Sequence, residues 1–505
     1  MDTKENLFTV EELEQKINLQ KDEITEFCKK HGAGEISFFS FESLLVKHIA
    51  NLACLYIQLF VLVRYNSLDY GQWLESGAYY LKQTPIFRTI KTLYGPVKIF
   101  REYLEGKKGG IIFPLDISLG LTKDGFSPMV MNIVTKLSTR VSFAAAVIIF
   151  KCFCSWSPST KSIEELVLGL GAEASEYMDD YSYSSDTGDI LVIEVDGKAT
   201  PTATEGELKK RKQKRSKNEK GCCQRHRGRG KRKRFKRRRR KKGDKSKNGR
   251  SITLVVMYTL KRGSDGLLHG PYNKIIWATY APRHIMLEWA KKHAIKRGFS
   301  PCSDQNIHIA IDGEVCLHKG LSKLFPHASF VIDIRHLEEK IWKVGRTLFK
   351  EGSEELEKWV EEQRKLIYQG KIKELLKKLK SRAGKLSRRA KRDQEKLEVI
   401  NNLIKYIEKR IEMMDYKKYI DQDLPIATGI VEGAVRYAIS ERMDCSGMRW
   451  IPERGEALLR LRCIELNGDW DKFFNWGYNR WIKKLREREK VQIRTTEVID
   501  ISGKK

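Results

Sequence analysis

Apolar and polar residues alternate with mainly helical periods over the first 185 positions of the chain. The spacing predicts an amphipathic helix at residues 10–30 and a strongly apolar helix at residues 41–64. Branched and polar residues alternate on both sides of Gly95-Pro96, which predicts a β-hairpin over residues 88–103. Three short helices are expected next, at residues 128–137, 142–152 and 161–170. Residues 1–185 should therefore form a mainly helical N-terminal region, either a helix-turn-helix reader of DNA ends or a helical packing domain.

From residue 189 the pattern changes to alternating strands and helices. Apolar runs predict strands at residues 190–195, 252–260, 274–280, 307–311 and 329–334, with helices at 283–296 and 316–325. The first strand should end at Asp196-Gly197 and the fourth at Asp312-Gly313. This order predicts an α/β fold with a mixed sheet and helices packed on it.

A highly charged helical region interrupts this pattern at residues 337–421. Its apolar residues recur at three- and four-residue steps, at Ile400, Leu403, Ile404, Ile407, Ile411 and Met414. The region is expected to be an all-α insertion domain. A helix at residues 428–442 follows and carries Glu432 in its first turns. The sheet domain would thus comprise residues 186–336 and be completed by 422–485, with residues 486–505 as a C-terminal tail.

The net charge of the chain predicts a polyanionic partner. The chain has 96 Lys and Arg against 65 Asp and Glu, a net charge of +31. Residues 207–250 alone hold 25 basic and 3 acidic residues, so a basic arm at 205–250 is expected to be disordered by itself and to contact DNA phosphates. The basic core of the arm contains Lys231, Arg232, Lys233, Arg234, Arg237, Arg238, Arg239 and Arg240.

Other compositional features indicate a cytoplasmic, nucleoid-associated protein without a membrane span. The longest uncharged apolar run, residues 49–63, has 15 residues, fewer than the roughly 20 that a spanning helix needs. It is interpreted as a buried core helix. The N-terminus is acidic and lacks an apolar leader, and the ten cysteines are scattered, as is typical of reduced thiols.

Three carboxylates on separate elements of the predicted sheet suggest metal chemistry. Asp196 and Asp312 end strands, and Glu432 lies on the helix after the insertion. Carboxylate oxygens are the ligands that Mg²⁺ or Mn²⁺ prefers, and two such ions can support phosphodiester displacement. Each aspartate by itself could equally belong to an ordinary Asp-Gly turn.

The motifs around these residues resemble those of bacterial insertion-sequence transposases of the DDE class. The matching segments are Asp196-Gly197, Asp312-Gly313, His318-Lys319-Gly320-Leu321, Phe325-Pro326, Asp333-Ile334-Arg335-His336, Gly429-Ile430-Val431-Glu432, Arg442-Met443 and Gly447-Met448-Arg449-Trp450. The resemblance spans residues 189–450 and is greatest to the Mutator-like branch. That branch has a ribonuclease-H-like catalytic domain, a C/D-x-x-H signature and a helical insertion before its glutamate.

The resemblance implies a role for each matching residue. Asp196, Asp312 and Glu432 would be the catalytic, metal-binding triad for Mg²⁺ or Mn²⁺. Asp333 and His336 would form the C/D-x-x-H signature and stabilise the site, although Asp333 also ends a strand and His336 could be a core histidine. Two interpretations also stay open for Trp450: it stacks on an unpaired DNA base, or it is a core tryptophan.

The implied function is cleavage of the ends of an insertion sequence and joining of the 3′-ends to target DNA. Such an enzyme would bind double-stranded DNA and act as a homodimer or a larger homo-oligomer, because two ends must be joined. Two alternatives remain. One is a non-catalytic nucleic-acid-binding protein on a nuclease-like fold, and the other is a metal-dependent nuclease or resolvase of the same fold.

Overall fold

The structure is a computed structural model that describes residues 9–34, 36–75, 77–107, 109–183, 188–210, 249–303, 306–387, 391–445 and 448–488. The chain divides into two compact units. The first unit is Met1–Glu173 together with Trp470–Lys505, and the second is Ala174–Asp469.

The described part of the chain contains eight strands and eighteen α-helices with the bounds given below, together with a helical segment at 205–210. The strands are β1 (Tyr79–Lys91), β2 (Pro96–Gly106), β3 (Ile111–Ile112), β4 (Ile190–Pro201), β5 (Gly249–Arg262), β6 (Leu268–Thr279), β7 (Ile307–Ile311) and β8 (Ser329–Ile332). The helices up to the second sheet are α1 (Val10–Gly32), α2 (Phe38–Asn66), α3 (Gly71–Leu74), α4 (Pro114–Ser118), α5 (Pro128–Arg140), α6 (Phe143–Phe153) and α7 (Thr160–Asp179). The later helices are α8 (Arg283–Lys296), α9 (Val315–Leu324), α10 (Ile334–Leu348), α11 (Glu354–Tyr368), α12 (Ile372–Gly384), α13 (Lys391–Glu408), α14 (Tyr416–Asp421), α15 (Gly429–Ala434), α16 (Glu441–Met443), α17 (Pro452–Leu466) and α18 (Trp470–Arg488).

The first unit contains the predicted hairpin, extended to a three-stranded antiparallel sheet in the order β1-β2-β3. The hairpin turns between Lys91 and Pro96, which face each other. Alternate residues of β2, Val97 and Ile99, are buried against Val61 of α2. The extended part of this region is thus larger than expected, because β1 starts nine residues before the predicted hairpin.

Helix α2 is not the buried core helix that its composition suggested. Among its residues only Val61 is fully buried, whereas Ile49, Phe60 and Val63 are about half exposed. One face of α2 packs on the hairpin, and another packs on α1, where Phe41 stacks on Phe27. A third face of the helix is left uncovered. By length and composition α2 meets the criterion for a membrane-spanning helix, a criterion that helices of soluble proteins also meet.

The C-terminal helix α18 belongs to the first unit, so the predicted extent of the sheet domain, 422–485, is wrong after residue 469. The indole N–H of Trp470 donates to Asn132 Oδ1 at 2.6 Å, and the Tyr478 hydroxyl donates to the Gly120 carbonyl at 3.0 Å. The aromatic face of α18 therefore packs on the N-terminal helices, a long-range pairing that its own pattern does not reveal.

The second unit confirms the α/β class and the mixed sheet. Its five strands lie in the order β6-β5-β4-β7-β8. The pairs β6–β5 and β5–β4 are antiparallel, whereas β4–β7 and β7–β8 are parallel. All five residues of β7 are buried, as is typical of a central parallel strand covered on both faces.

The expectation that β4 ends at Asp196 is wrong, because the strand continues to Pro201. Its antiparallel partner β5 pairs with it throughout, with Asp196 opposite Leu254 and Pro201 opposite Gly249. The apolar run ends at Val195 because only the first half of the strand also pairs with β7. In the second half of β4 partly buried and exposed residues alternate, so only one face is covered and a continuous apolar run is not required.

The insertion is helical, as predicted, and comprises α10 to α14 together with a short 3₁₀ helix. Gly370, with a φ of +71° that favours glycine, separates α11 from α12. The predicted apolar stripe is buried, except that Ile411 is half-buried. It lies in the 3₁₀ helix Ile411–Met413, after the end of α13, so the helical spacing no longer applies.

Ion pairing in the first unit leads to a prediction about stability. Asp116 is nearly buried and accepts from both Arg88, at 2.7 Å, and Arg101. Asp116→Asn should lower the free energy of unfolding by about 2 to 4 kcal/mol, because two adjacent guanidinium groups lose their buried counter-charge. Urea denaturation measures this loss. Glu105→Gln, which removes the exposed pair with Lys82, is the matched control and should change stability by less than about 1 kcal/mol.

Candidate active site

Three aspartates lie at the carboxyl ends of the two parallel pairings of the sheet, β4–β7 and β7–β8. Val195 of β4 is paired with Ile311 of β7, and Ile311 is paired with Ile332 of β8. The next residue in each chain segment is an aspartate: Asp196, Asp312 and Asp333. The register of the sheet therefore places these three side chains at one edge, where α/β sheets commonly bind ligands.

Asp196 is partly exposed at this edge. Its Oδ1 accepts a hydrogen bond from the Gly197 N–H at 2.6 Å. Burial raises the pKa of Asp196, and the negative charges of Asp312 and Glu314 raise it further. The pKa of this carboxyl is thus elevated partly because other carboxylates lie nearby, a condition that a bound cation would relieve.

The loop after β7 holds Asp312 through contacts with the insertion. Gly313 has a φ of +90°, and a Cβ at this position would lie 2.6 Å from the Tyr406 hydroxyl, so only glycine fits. Arg410 Nε donates to the Gly313 carbonyl at 2.7 Å, and Tyr406 donates to the Asp312 carbonyl at 3.4 Å. The Asp312 side chain itself accepts from the Glu314 N–H at 2.9 Å.

Asp333 is fully buried and caps helix α10. Its Oδ1 accepts from the Arg335 N–H at 2.7 Å, while its Oδ2 accepts from both the backbone N–H and the hydroxyl of Thr428. Burial alone would raise the pKa of Asp333, but the adjacent His336 and the hydrogen bonds from Thr428 and Arg335 outweigh it and hold the pKa at about 2. Both oxygens already have donors, so Asp333 is better suited to organise the site than to bind a metal.

Glu432 enters the site from α15, the short helix that follows the insertion. Its side chain is exposed, and its Oε1 lies 3.5 Å from the Thr428 hydroxyl. Partial burial, followed by the charges of Asp333 and Asp196, raises the pKa of Glu432. Directly after α15 the chain widens to a π-helix at Val435–Ser440, an irregularity that is frequent at functional sites.

His336 faces the carboxylates and is not a core histidine. Its side chain is 36% exposed, and its Nδ1 lies 3.5 Å from Asp333 Oδ2. The interaction with Asp333 raises the pKa of His336, and the charges of Glu339 and Asp312 act in the same direction. The ligand atoms of Asp333, His336 and Glu432 lie within 4.8 Å of one another. His336 thus lies beside Asp333 and Glu432, and its site-stabilising role stays a prediction.

Glu194 belongs to the site, although the sequence did not single it out. It lies two residues before Asp196 on the same face of β4 and is fully buried. Its Oε2 accepts from the Val431 N–H and its Oε1 from the Tyr258 hydroxyl, both at 2.8 Å. Burial raises the pKa of Glu194 to about 7 despite these two donors. The available signal was an acidic residue within an otherwise apolar strand.

Alternate residues of β4 form hydrogen bonds and an ion pair with residues 431–444, the segment that carries Glu432. Glu194 binds the backbone beside Glu432, and Lys198 donates to Ser440 at 2.8 Å and pairs with Asp444 at 2.9 Å. Asp196 lies between these two attachments. The separation of Asp196 and Glu432 is therefore determined on both sides by side-chain contacts.

Two further predicted groups stand apart from these carboxylates. Trp450 is a core residue: it is 9% exposed and its indole N–H donates to the Met443 carbonyl at 3.0 Å. In this arrangement its ring is not presented to a DNA base, so the stacking role is not supported. The basic residues predicted to bind DNA lie outside the described residues, from Lys231 to Arg240.

Comparison with known proteins gives no match. No protein-family model matches the chain, and no curated protein does.

The donor set fits hard divalent cations. Asp196, Asp312 and Glu432 offer carboxylate oxygens that are not all consumed by internal hydrogen bonds, in contrast to Asp333. Among the described residues, however, the ligand atoms that lie within 4.8 Å of one another belong to Asp333, His336 and Glu432, and this group includes neither Asp196 nor Asp312. Burial, and after it the charges of neighbouring carboxylates, raise the pKa of Asp196 and of Glu432, and a bound cation would relieve the repulsion between the carboxylates.

The buried Glu194 predicts an unusual pH dependence of stability. Its pKa is higher in the folded than in the unfolded chain, so its contribution to stability is complete at low pH and is lost as the pH rises through about 7. In Glu194→Gln the side-chain amide oxygen can still accept from the Val431 N–H, but the side chain no longer titrates, so the loss of stability with rising pH disappears. Between about pH 5 and pH 8 the variant should gain about 2 to 3 kcal/mol relative to the wild type, measured by denaturation in chelator.

Glu194→Leu provides the comparison for this measurement. Leucine leaves the buried Val431 N–H without its acceptor, so this variant should be less stable than Glu194→Gln by about 1 to 3 kcal/mol at both pH values. Parallel pH profiles of the wild type and the Gln variant would show that Glu194 does not titrate in this range.

Proposed function

We propose that the chain is a DDE transposase that cleaves the ends of its insertion sequence and joins the 3′-ends to target DNA. The observation that carries the proposal is that the β4–β7 pairing ends directly before Asp196 and Asp312, with Glu432 close enough to Asp196 for the charge of Asp196 to raise its pKa. A five-stranded mixed sheet, interrupted by a helical insertion before the glutamate, supports a ribonuclease-H-like catalytic domain.

In the proposed site each residue has a distinct part. Asp196, Asp312 and Glu432 would hold two Mg²⁺ or Mn²⁺ ions, which when bound activate the attacking oxygen and stabilise the leaving one. Asp333 keeps its negative charge and holds Thr428 at the start of the helix that carries Glu432. Asp333 raises the pKa of His336, which favours the cationic form of the imidazole, and in that form His336 could face a phosphate oxygen at the edge of the carboxylate cluster.

DNA binding would involve the N-terminal unit and the basic arm, with a homodimer or larger homo-oligomer bringing two ends together. The described helices α5 and α6 are joined tightly enough for a helix-turn-helix, since Val141 and Ser142 alone separate them. However, α6 has one basic residue, Lys151, and its exposed side chains include Ile148 and Phe153. End recognition by this helix pair therefore remains a proposal that the surface chemistry does not favour.

The decisive experiment is a cleavage and joining assay on the DNA that flanks the gene, with Mg²⁺ or Mn²⁺ and with chelator. Asp196→Asn, Asp312→Asn and Glu432→Gln should each lose more than about a hundredfold in rate, because each removes a ligand. Asp333→Asn is the internal contrast and should lose about ten- to a hundredfold, the effect typical of a residue that positions ligands.

Other outcomes would replace the proposal. Metal-dependent cutting without joining would assign the chain to the nucleases or resolvases of the same fold. Binding to DNA without cutting or joining under either metal would favour the non-catalytic binding protein. A larger loss in Asp333→Asn than in Asp312→Asn would make Asp333 the second metal ligand.

A further inference from the structure

The net positive charge of the chain comes from two segments. Outside the basic arm, residues 371–392 contain 11 Lys and Arg and a single acidic residue, Glu374, a net charge of +10. With both this segment and residues 207–250 set aside, 60 basic and 61 acidic residues remain. The second basic segment lies in the insertion and includes the whole of helix α12.

The basic residues of α12 lie on its outer face. Ile372, Leu375 and Leu379 are buried and fix the inner face of the helix. Lys373 and Lys377, one helical turn apart, are exposed on the opposite side, and so is Lys385 after the helix end. Among the described residues none of these three forms an ion pair, whereas Lys378 and Lys380 pair with Glu374 and Glu408.

The neighbouring helix α11 shows that this charge is not a general property of the insertion. It has a similar length and an equally apolar inner face, but it carries five glutamates and three basic residues. Its exposed Lys358 pairs with Glu354 at 2.7 Å. A solvated helix needs only such a mixed surface, and uncompensated lysines repel one another unless an anion lies between them.

Contacts connect α12 to the candidate site. Lys380 pairs with Glu408 of α13 at 2.6 Å, and α13 also carries Tyr406. Tyr406, and Arg410 just after the helix, hold the backbone of Asp312 and Gly313. The basic helix is thus attached, through a single neighbour, to the loop that presents the second carboxylate.

We propose that the outer face of α12, with Lys373, Lys377 and Lys385, is a contact surface for the phosphate backbone of duplex DNA. A row of exposed, unpaired lysines on a rigid helix provides point charges for phosphates and no means of reading bases. The partner is taken to be DNA on the basis of the proposed function. The surface would guide DNA bound by the enzyme along the insertion towards the carboxylates.

The test compares two double variants of the full chain. Lys373→Gln/Lys377→Gln removes two charges from α12, and Lys358→Gln/Lys365→Gln removes two exposed charges from α11 as the matched control. Binding to a labelled duplex is measured by fluorescence anisotropy in chelator at several salt concentrations. The α12 variant should reduce the slope of log affinity against log salt by about 1 to 2, because each lost phosphate contact lowers it by about 0.9.

An equal change in slope in both variants, or none in either, would overturn the proposal. Loss of binding to vesicles of anionic phospholipid with unchanged binding to duplex DNA would assign the surface to a membrane and would also overturn it. Thermal denaturation confirms that each variant is folded. Binding in chelator requires no catalysis, so this test is independent of the cleavage assay. The α12 variant could bind DNA like the wild type although the triad variants lose cleavage and joining. It could equally show the expected change in slope although the chain neither cuts nor joins DNA.

Discussion

The parallel register of β4, β7 and β8 is the constraint on which the rest of the site depends. Carboxylates repel one another, and Asp196 and Asp312 would separate if their backbones could move. They are held because the residues before them, Val195 and Ile311, are paired within a sheet that is buried on both faces. The hydrophobic core thus keeps like charges together, and burial, followed by the charge of Asp312, raises the pKa of Asp196.

A second constraint closes the helical insertion onto the sheet. Asp333 and Thr428 are 95 residues apart in sequence, yet Thr428 donates both its N–H and its hydroxyl to Asp333. The cost of closing so long a loop rises only slowly with its length, so one buried, charge-assisted contact can contribute substantially to closure. Glu194 adds a contact to Val431, and together these groups decide where α15 begins and where Glu432 points.

The distribution of charge follows the same topology. The basic arm leaves the sheet from the β4–β5 hairpin, beyond Asp196 at the carboxylate edge, and the basic helix α12 lies in the insertion before Glu432. The remainder of the chain is close to neutral. Positive charge is therefore placed in the two excursions from the carboxylate-bearing sheet, which suits a polyanionic substrate approaching a site that would otherwise repel it.

The sequence by itself determined the order of strands and helices in the second unit, the helical insertion and the aspartates that follow the apolar runs, because apolar periodicity and an aspartate after an apolar run are local patterns. Only the tertiary structure decided that β4 continues past Asp196, that α18 packs on the first unit, that α2 is half exposed and that Trp450 is buried. It also revealed Glu194 and Thr428 as the groups that position Glu432. Burial and hydrogen-bond partners depend on contacts between residues far apart in the chain, and no local pattern specifies which distant element will cover a given face.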